Sequence, residues 1–220
     1  MTDTAPPPDE VLTRRGADLR AKLPDTPRPV LLIACGALAR EVLALIRTNG
    51  WDHMHLVCLP AILHNHPERI AQAVREKVAE NKAAYDRIFI LYADCGTGGE
   101  LERTCAELGV TMLAGPHCYS FFDGNDDFAA RGEVTKFYLT DFLARQFDAF
   151  VWRPMGLDRH PQLREMYFGN YTHLVYLAQT DDPALTAQAR ACADRLGLAF
   201  ERRFTGYGDL ARELARDAAR

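Results

Sequence analysis

The sequence predicts an α/β fold: a Rossmann-like, mainly parallel sheet of about six strands with helices on both faces. Three observations carry this. From residue 29 onward, short continuous apolar runs alternate with segments of helical period. Strand, helix, strand, helix in alternation is how parallel strands joined by crossover helices read in a sequence. The strand-like runs are apolar throughout rather than at every second residue, as in a sheet covered on both sides.

Residues 1–28 hold five prolines, many charges and no apolar period, and are expected to be a flexible arm with at most a short helix near residues 10–23. The run at 29–35 (PVLLIAC) is the first strand. Residues 37–48 follow as a helix with Leu38, Val42, Leu45 and Ile46 on one face, stopped by Asn49-Gly50. A second strand at 55–58 (HLVC) leads to a helix at 68–82 striped by Ile70, Val74 and Val78. The third strand is 87–92 (RIFILY). The next helix, 99–108, turns Leu101, Cys105 and Leu108 inward, and 111–114 (TMLA) is a fourth strand.

The middle is less regular. Residues 140–150 read as a helix capped by Thr140, and 161–168 as another with Pro161 in its first turn. The rhythm then returns with a strand at 172–178 (THLVYLA) and a helix at 183–196 whose Leu185, Ala189, Cys192 and Leu196 share a face. A strand at 198–204 and a helix at 208–219 complete the chain. Residues 29–220 therefore read as a single α/β domain, or as two pseudo-related halves at 29–122 and 140–220.

The composition is that of a globular protein: 220 residues, 48% apolar and 25% charged. The net charge of −4 argues against a nucleic-acid partner, and the basic residues are scattered. No apolar run reaches the roughly 18 residues needed to cross a bilayer. The polar, proline-rich N-terminus is no signal peptide. The expected location is the cytoplasm, where six cysteines stay reduced and need another explanation than disulfides.

Four of them fall at strand ends. Cys35 closes the first strand and Cys58 the second; Cys95 follows the third and Cys118 the fourth. Ligands of open parallel sheets gather outside the carboxyl ends of the strands. The pattern therefore sends four thiols to one edge, with His64, His66 and His117 nearby in sequence. Thiolate and imidazole suit zinc or iron rather than magnesium or calcium. No CxxC pair occurs, so neither a zinc ribbon nor a ferredoxin is indicated. Cys35, Cys58, Cys95, Cys118, His64 and His117 are the candidate ligands, zinc being preferred over a [4Fe–4S] cluster. His66 precedes a proline and serves as well to start the next helix. Cys105 and Cys192 sit on apolar helical faces and are expected in the core.

The run Cys95-Gly96-Thr97-Gly98-Gly99 joins a strand to a helix N-terminus. Gly96, Thr97, Gly98 and Gly99 are candidates to hold an anionic group of a substrate or cofactor, with a simple tight turn as the alternative. At the same helix start Cys95 is also a candidate nucleophile, and Asp94 a candidate to orient a ligand. His160 is a candidate acid or base, or a helix cap. The acids of Gln179-Thr180-Asp181-Asp182 read as a helix cap.

The phrases LLIACGALAREV, CLPAILHNHPERI, YADCGTGG, GPHCYSFF, TDFLARQFD, LDRHPQLREMYFGNY, YLAQTDDPAL and RRFTGYGDL together resemble the bacterial and archaeal family called domain of unknown function 1638, over roughly residues 30–210. Members are often encoded near corrinoid-dependent methyltransferases and their reductive activators. The resemblance thus implies a place in one-carbon or methylamine metabolism, with a small molecule or a corrinoid protein as partner.

Three functions are consistent with these readings. The first is a metal-binding protein or metalloenzyme built on the strand-end thiols. The second is a non-catalytic accessory protein handling a corrinoid or a partner methyltransferase. The third is a metal-free enzyme with Cys95 as nucleophile.

Overall fold

In the computed structural model, which describes residues 6–20 and 29–219, the apolar runs become strands and the periodic segments helices. They gather into two units, Met1–Cys118 with Leu210–Arg220, and Tyr119–Asp209. Each unit has its own sheet.

The first unit contains α1 (Asp9–Arg14), β1 (Ala17–Asp18), β2 (Val30–Cys35), α2 (Ala39–Asn49), β3 (Met54–Leu59), α3 (Ile70–Asn81), β4 (Arg87–Leu91), α4 (Glu100–Leu108) and β5 (Thr111–Met112). Its five strands lie in the order β1-β3-β2-β4-β5. The pairs β2–β3, β2–β4 and β4–β5 are parallel, and β1 runs antiparallel to β3. Every residue of β2 and β3 is buried, as expected of strands covered on both faces. Gly50 ends α2 in the left-handed conformation, φ 64°, where only glycine is free of strain.

The second unit contains α5 (Ser120–Asp123), α6 (Asn125–Arg131), β6 (Lys136–Leu139), α7 (Asp141–Arg145), a π turn at Asp148–Trp152, α8 (Leu163–Phe168), β7 (His173–Ala178), α9 (Pro183–Leu196) and β8 (Ala199–Phe204). The three strands form a parallel sheet in the order β6-β7-β8. Thr140 caps α7 by accepting from the Leu143 N–H at 3.3 Å, and Asp182 caps α9 by accepting from Ala184 and Leu185. The last helix, α10 (Gly208–Ala218), joins the first unit from Leu210 onward, where Leu210 and Leu214 are fully buried.

One expectation is corrected. The single six-stranded sheet is instead a mixed five-stranded sheet and a parallel three-stranded one. Strand partnership is a long-range choice that a local pattern does not encode. Within the segment read as an arm with at most a short helix, residues 6–20 carry α1 and β1: Leu12 on α1 is completely buried, Asp9 accepts from Arg40 Nε at 2.9 Å, and β1 pairs with β3. The remainder of that segment, 1–5 and 21–28, lies outside the described residues. Among the described residues, no helix is long and apolar enough to cross a membrane.

Candidate functional site

In the first unit, β3, β2, β4 and β5 are neighbours and parallel, so their carboxyl ends open onto one edge. That edge is where the four thiols lie. Cys35 is the last residue of β2, Cys58 the penultimate residue of β3, and Cys95 and Cys118 follow β4 and β5 in loops. The two loops are tied together, the Asp94 N–H donating to Gly115 O and the Cys95 N–H to Pro116 O, both at 3.0 Å. Their sulfurs meet: Cys95 Sγ and Cys118 Sγ are 3.1 Å apart. Cys35 is near enough to act on the Cys118 thiol and helps to raise its pKa. Two thiols from neighbouring strand ends are thus in contact, with Cys35 of a third strand end within electrostatic reach of Cys118.

Their protonation differs. The neighbouring Cys35 and Cys95 side chains, together with burial, push the Cys118 pKa well up. The hydrogen bond with Cys118 pulls Cys95 down; backbone hydrogen bonds from Cys118 and Ala93 help, and burial opposes them. Either sulfur can donate in the contact between them. Cys95 is also the one non-glycine among the described residues with a left-handed backbone, φ 48°. A conformation of this kind is uncommon outside glycine and concentrates at functional positions.

Cys58 stands apart from this trio. The register sets Ala34 opposite Cys58 and Cys35 opposite Leu59. One residue out of step, the pleat turns the Cys35 and Cys58 side chains to opposite faces. Burial, then the charges of Cys35 and Glu41, raise the Cys58 pKa strongly. Its backbone partner across the edge is Ala17 of β1.

Tyr92 lies beside these thiols. It follows β4, is 1% exposed, and its hydroxyl has no hydrogen-bond partner among the described residues. Burial raises its pKa most, and the four strand-end thiols are near enough to raise it further. A buried hydroxyl without a partner carries a desolvation cost of about 1–3 kcal/mol. Tyr92 was legible only as the last aromatic of RIFILY, with nothing local to separate it from core.

The histidines sit at the rim. His117 is half-buried, its pKa lowered by burial against the opposing pull of Asp94. His64, on the turn Ala61–Asn65, keeps exposed surface. Its pKa is lowered first by desolvation and then by His117, which places the two imidazoles within electrostatic reach. His66 is exposed and faces Glu68 at 3.5 Å. The edge is roofed by α1: a β-carbon on Gly36, the residue after Cys35, would stand 2.6 Å from Leu12 O. Glycine there lets the helix backbone approach directly.

The amides of the glycine loop turn toward Asp94, in line with the tight-turn alternative. Asp94 accepts from the Gly99 N–H at 2.7 Å and the Gly98 N–H at 3.3 Å, and from the Thr97 hydroxyl at 2.8 Å. These bonds, the Gly99 one foremost, lower the Asp94 pKa. Gly96, Thr97, Gly98 and Gly99 therefore form a turn closed by their own neighbouring carboxylate, which occupies the place expected for a ligand. Asp94 acts on this loop rather than on an outside group.

The remaining residues fall elsewhere. His160 belongs to the second unit; its ring is exposed and its backbone closes a turn, donating to Gly156 O at 2.8 Å and accepting from the Leu163 N–H at 3.0 Å. Cys105 and Cys192 are buried on their helices, and burial pushes both thiols up to about 11.

Among the described residues, no group of three or more His, Cys, Asp or Glu side chains is arranged as a metal site as it stands. The thiols are packed for hydrogen bonding. Around a tetrahedral zinc with Zn–S bonds of about 2.3 Å, sulfurs stand about 3.8 Å apart. The 3.1 Å contact of Cys95 with Cys118 is shorter than that. Opening it takes less than one ångström, in loops outside the sheet ladder. A four-iron cluster, whose thiolates sit on separate irons, needs them farther apart still. The donor set therefore fits zinc more closely than a cluster. The family model described as "Protein of unknown function (DUF1638)" matches residues 58–214. No match to a curated protein is found.

Proposed function

The chain belongs to the DUF1638 family, whose description assigns no activity, and from that premise we propose that it is a soft-metal-binding protein. Cys35, Cys95 and Cys118 supply the thiolates, and His117 or His64 the fourth donor, with zinc as the preferred ion. The observation that carries this reading is the contact of Cys118 with Cys95, with Cys35 near enough to act on the same thiol. Residues from separate strand ends have no folding reason to bring sulfur against sulfur. The unpartnered Tyr92 hydroxyl supports it, since a thiolate or a group held beside it would give that hydroxyl an acceptor.

A bound zinc would hold a thiol or water in its deprotonated, nucleophilic form near neutral pH. The chain's own part is to present the thiolates, to shield them with α1 and Tyr92, and to leave the histidine side open. The resemblance to proteins encoded beside corrinoid-dependent methyltransferases gives this centre a setting in one-carbon or methylamine metabolism.

Elemental analysis of anaerobically purified protein tests the reading. About one equivalent of zinc is expected in the wild type and in Cys105→Ser, with most of it lost in Cys35→Ser, Cys95→Ser and Cys118→Ser. Less than roughly 0.2 equivalents of any transition metal in the wild type would remove the proposal.

A second reading has its own support. Cys95, with a thiol pKa lowered by Cys118 and a left-handed backbone, suits a metal-free nucleophile. Stoichiometric alkylation of Cys95 near neutral pH in metal-free protein, with Cys105 inert, is its expected signature. A Cys95 as slow as Cys105 would remove it.

A further inference from the structure

Cys95 and Cys118 share an arrangement that metal binding alone does not require. Both lie beyond the last rung of the sheet, in loops held together by the backbone bonds from Asp94 to Gly115 and from Cys95 to Pro116. Their sulfurs are 3.1 Å apart, while a disulfide needs about 2.05 Å. Closing that gap takes about one ångström of side-chain movement, with the two loops already in place. Cys35 is also near Cys118, but it is a ladder residue fixed opposite Leu59.

We infer that Cys95 and Cys118 form a reversible dithiol that exchanges with small-molecule disulfides. One sulfur, as thiolate, attacks a disulfide RSSR; an S–S bond to the protein forms, the RS–SR bond breaks, and RS⁻ leaves. The second protein sulfur then attacks the first, forming the Cys95–Cys118 bond and releasing the other RS⁻. The two protons of the protein thiols end on the two RSH molecules. Two electrons pass from the cysteine pair to the small disulfide.

The exchange itself needs no metal. Its consequence rests on the proposed centre: the closed disulfide takes away two of the three thiolates, so oxidation empties the site and reduction restores it. Cys35 remains as a free thiol beside the closed pair.

The test uses reduced, metal-free full-length protein with glutathione disulfide as the probe, followed by thiol counting and peptide mapping. The wild type, Cys35→Ser and Cys105→Ser are expected to lose two thiols and to yield a linked peptide pair carrying Cys95 and Cys118. Cys95→Ser and Cys118→Ser are expected to stop at one mixed disulfide on the remaining partner. Three results on the wild type would overturn the inference: all six thiols persisting, a mixed disulfide that never closes, or a link joining any other pair. Metal content is measured separately on reduced protein, so the exchange and the metal centre succeed or fail independently.

Discussion

Two tyrosines, one in each unit, end up in the same condition along one side of the molecule's chemistry and differ in the other. Tyr92 follows β4 of the mixed sheet and Tyr176 lies in β7 of the parallel one, and both are almost wholly buried. The Tyr176 hydroxyl donates to Asp141 Oδ1 at 2.7 Å. Asp141 also accepts from the N–H groups of Gln179 and Thr180, at 3.0 and 3.1 Å, and from the Thr180 hydroxyl at 2.6 Å. Gln179 returns the bond by accepting from the Asp141 N–H at 2.7 Å. Tyr92 meets thiols and no acceptor. One network closes on itself and has nothing left to offer a ligand. The other is left open at its most buried hydroxyl. An open buried network is a better marker of a site than a buried polar residue as such.

The largest effect should come from breaking the closed network. Asp141→Ala leaves a phenol hydroxyl, a threonine hydroxyl and two backbone N–H groups without their acceptor. A loss of about 3–5 kcal/mol is expected, read as a lower midpoint of chemical denaturation. Asp148, a half-exposed acid that pairs with Arg195 at 2.7 Å, serves as control; replacing it by alanine should cost less than about 1 kcal/mol. A loss that small at Asp141 would mean the network is not what holds this end of the sheet.

The tyrosines themselves sharpen the contrast. Tyr176→Phe removes a hydrogen bond to a carboxylate and should cost about 1.5–3 kcal/mol. Tyr92→Phe removes a hydroxyl that has no partner, so the metal-free protein should be unchanged or gain up to about 1 kcal/mol. Equal losses in the two variants, measured in metal-free protein, would show that the Tyr92 hydroxyl is satisfied after all and the contrast false.

Most elements were legible because their signal is local. Val30–Cys35 and His173–Ala178 are unbroken apolar runs, and Pro183–Leu196 carries its cap, its period and its stopping glycine in one stretch. What was missed is either too short or too distant. The two residues of β1 and the sequence KFYL of β6 have no length over which a period can show. In α1 only one buried aliphatic, Leu12, announces the contact. The gathering of thiols at one edge was legible because the carboxyl ends of parallel strands share a direction whatever their order. The turning-away of Cys58 was not, because it depends on a register one residue out of step. Nor was the filling of the glycine loop by Asp94, since Asp and Gly in a turn read alike whether they bind each other or wait for an anion.

The smallest effect concerns pH, and it belongs again to the closed unit. Arg203 donates to both Glu133 oxygens at 2.8 Å, and Tyr138 donates to the same carboxylate at 2.6 Å. The Arg203 hydrogen bonds, foremost, hold Glu133 down to about 2 from its ordinary 4.5. A carboxylate whose folded pKa is depressed adds stability above its unfolded pKa and loses it as pH falls through the folded one. The contribution of Glu133 should therefore be intact at neutral pH, decline from about pH 4.5 and be gone near pH 2. Glu133 keeps 19% of its side-chain surface in contact with solvent, which screens the pair, so about 1 kcal/mol is expected rather than the larger figure the shift alone would permit. Denaturation midpoints of the wild type and Glu133→Gln, taken from pH 7 down to pH 2, should converge at the acid end. A gap that stays constant with pH would assign the residue's value to packing instead of charge, and the closed unit would then owe its stability to shape more than to its paired groups.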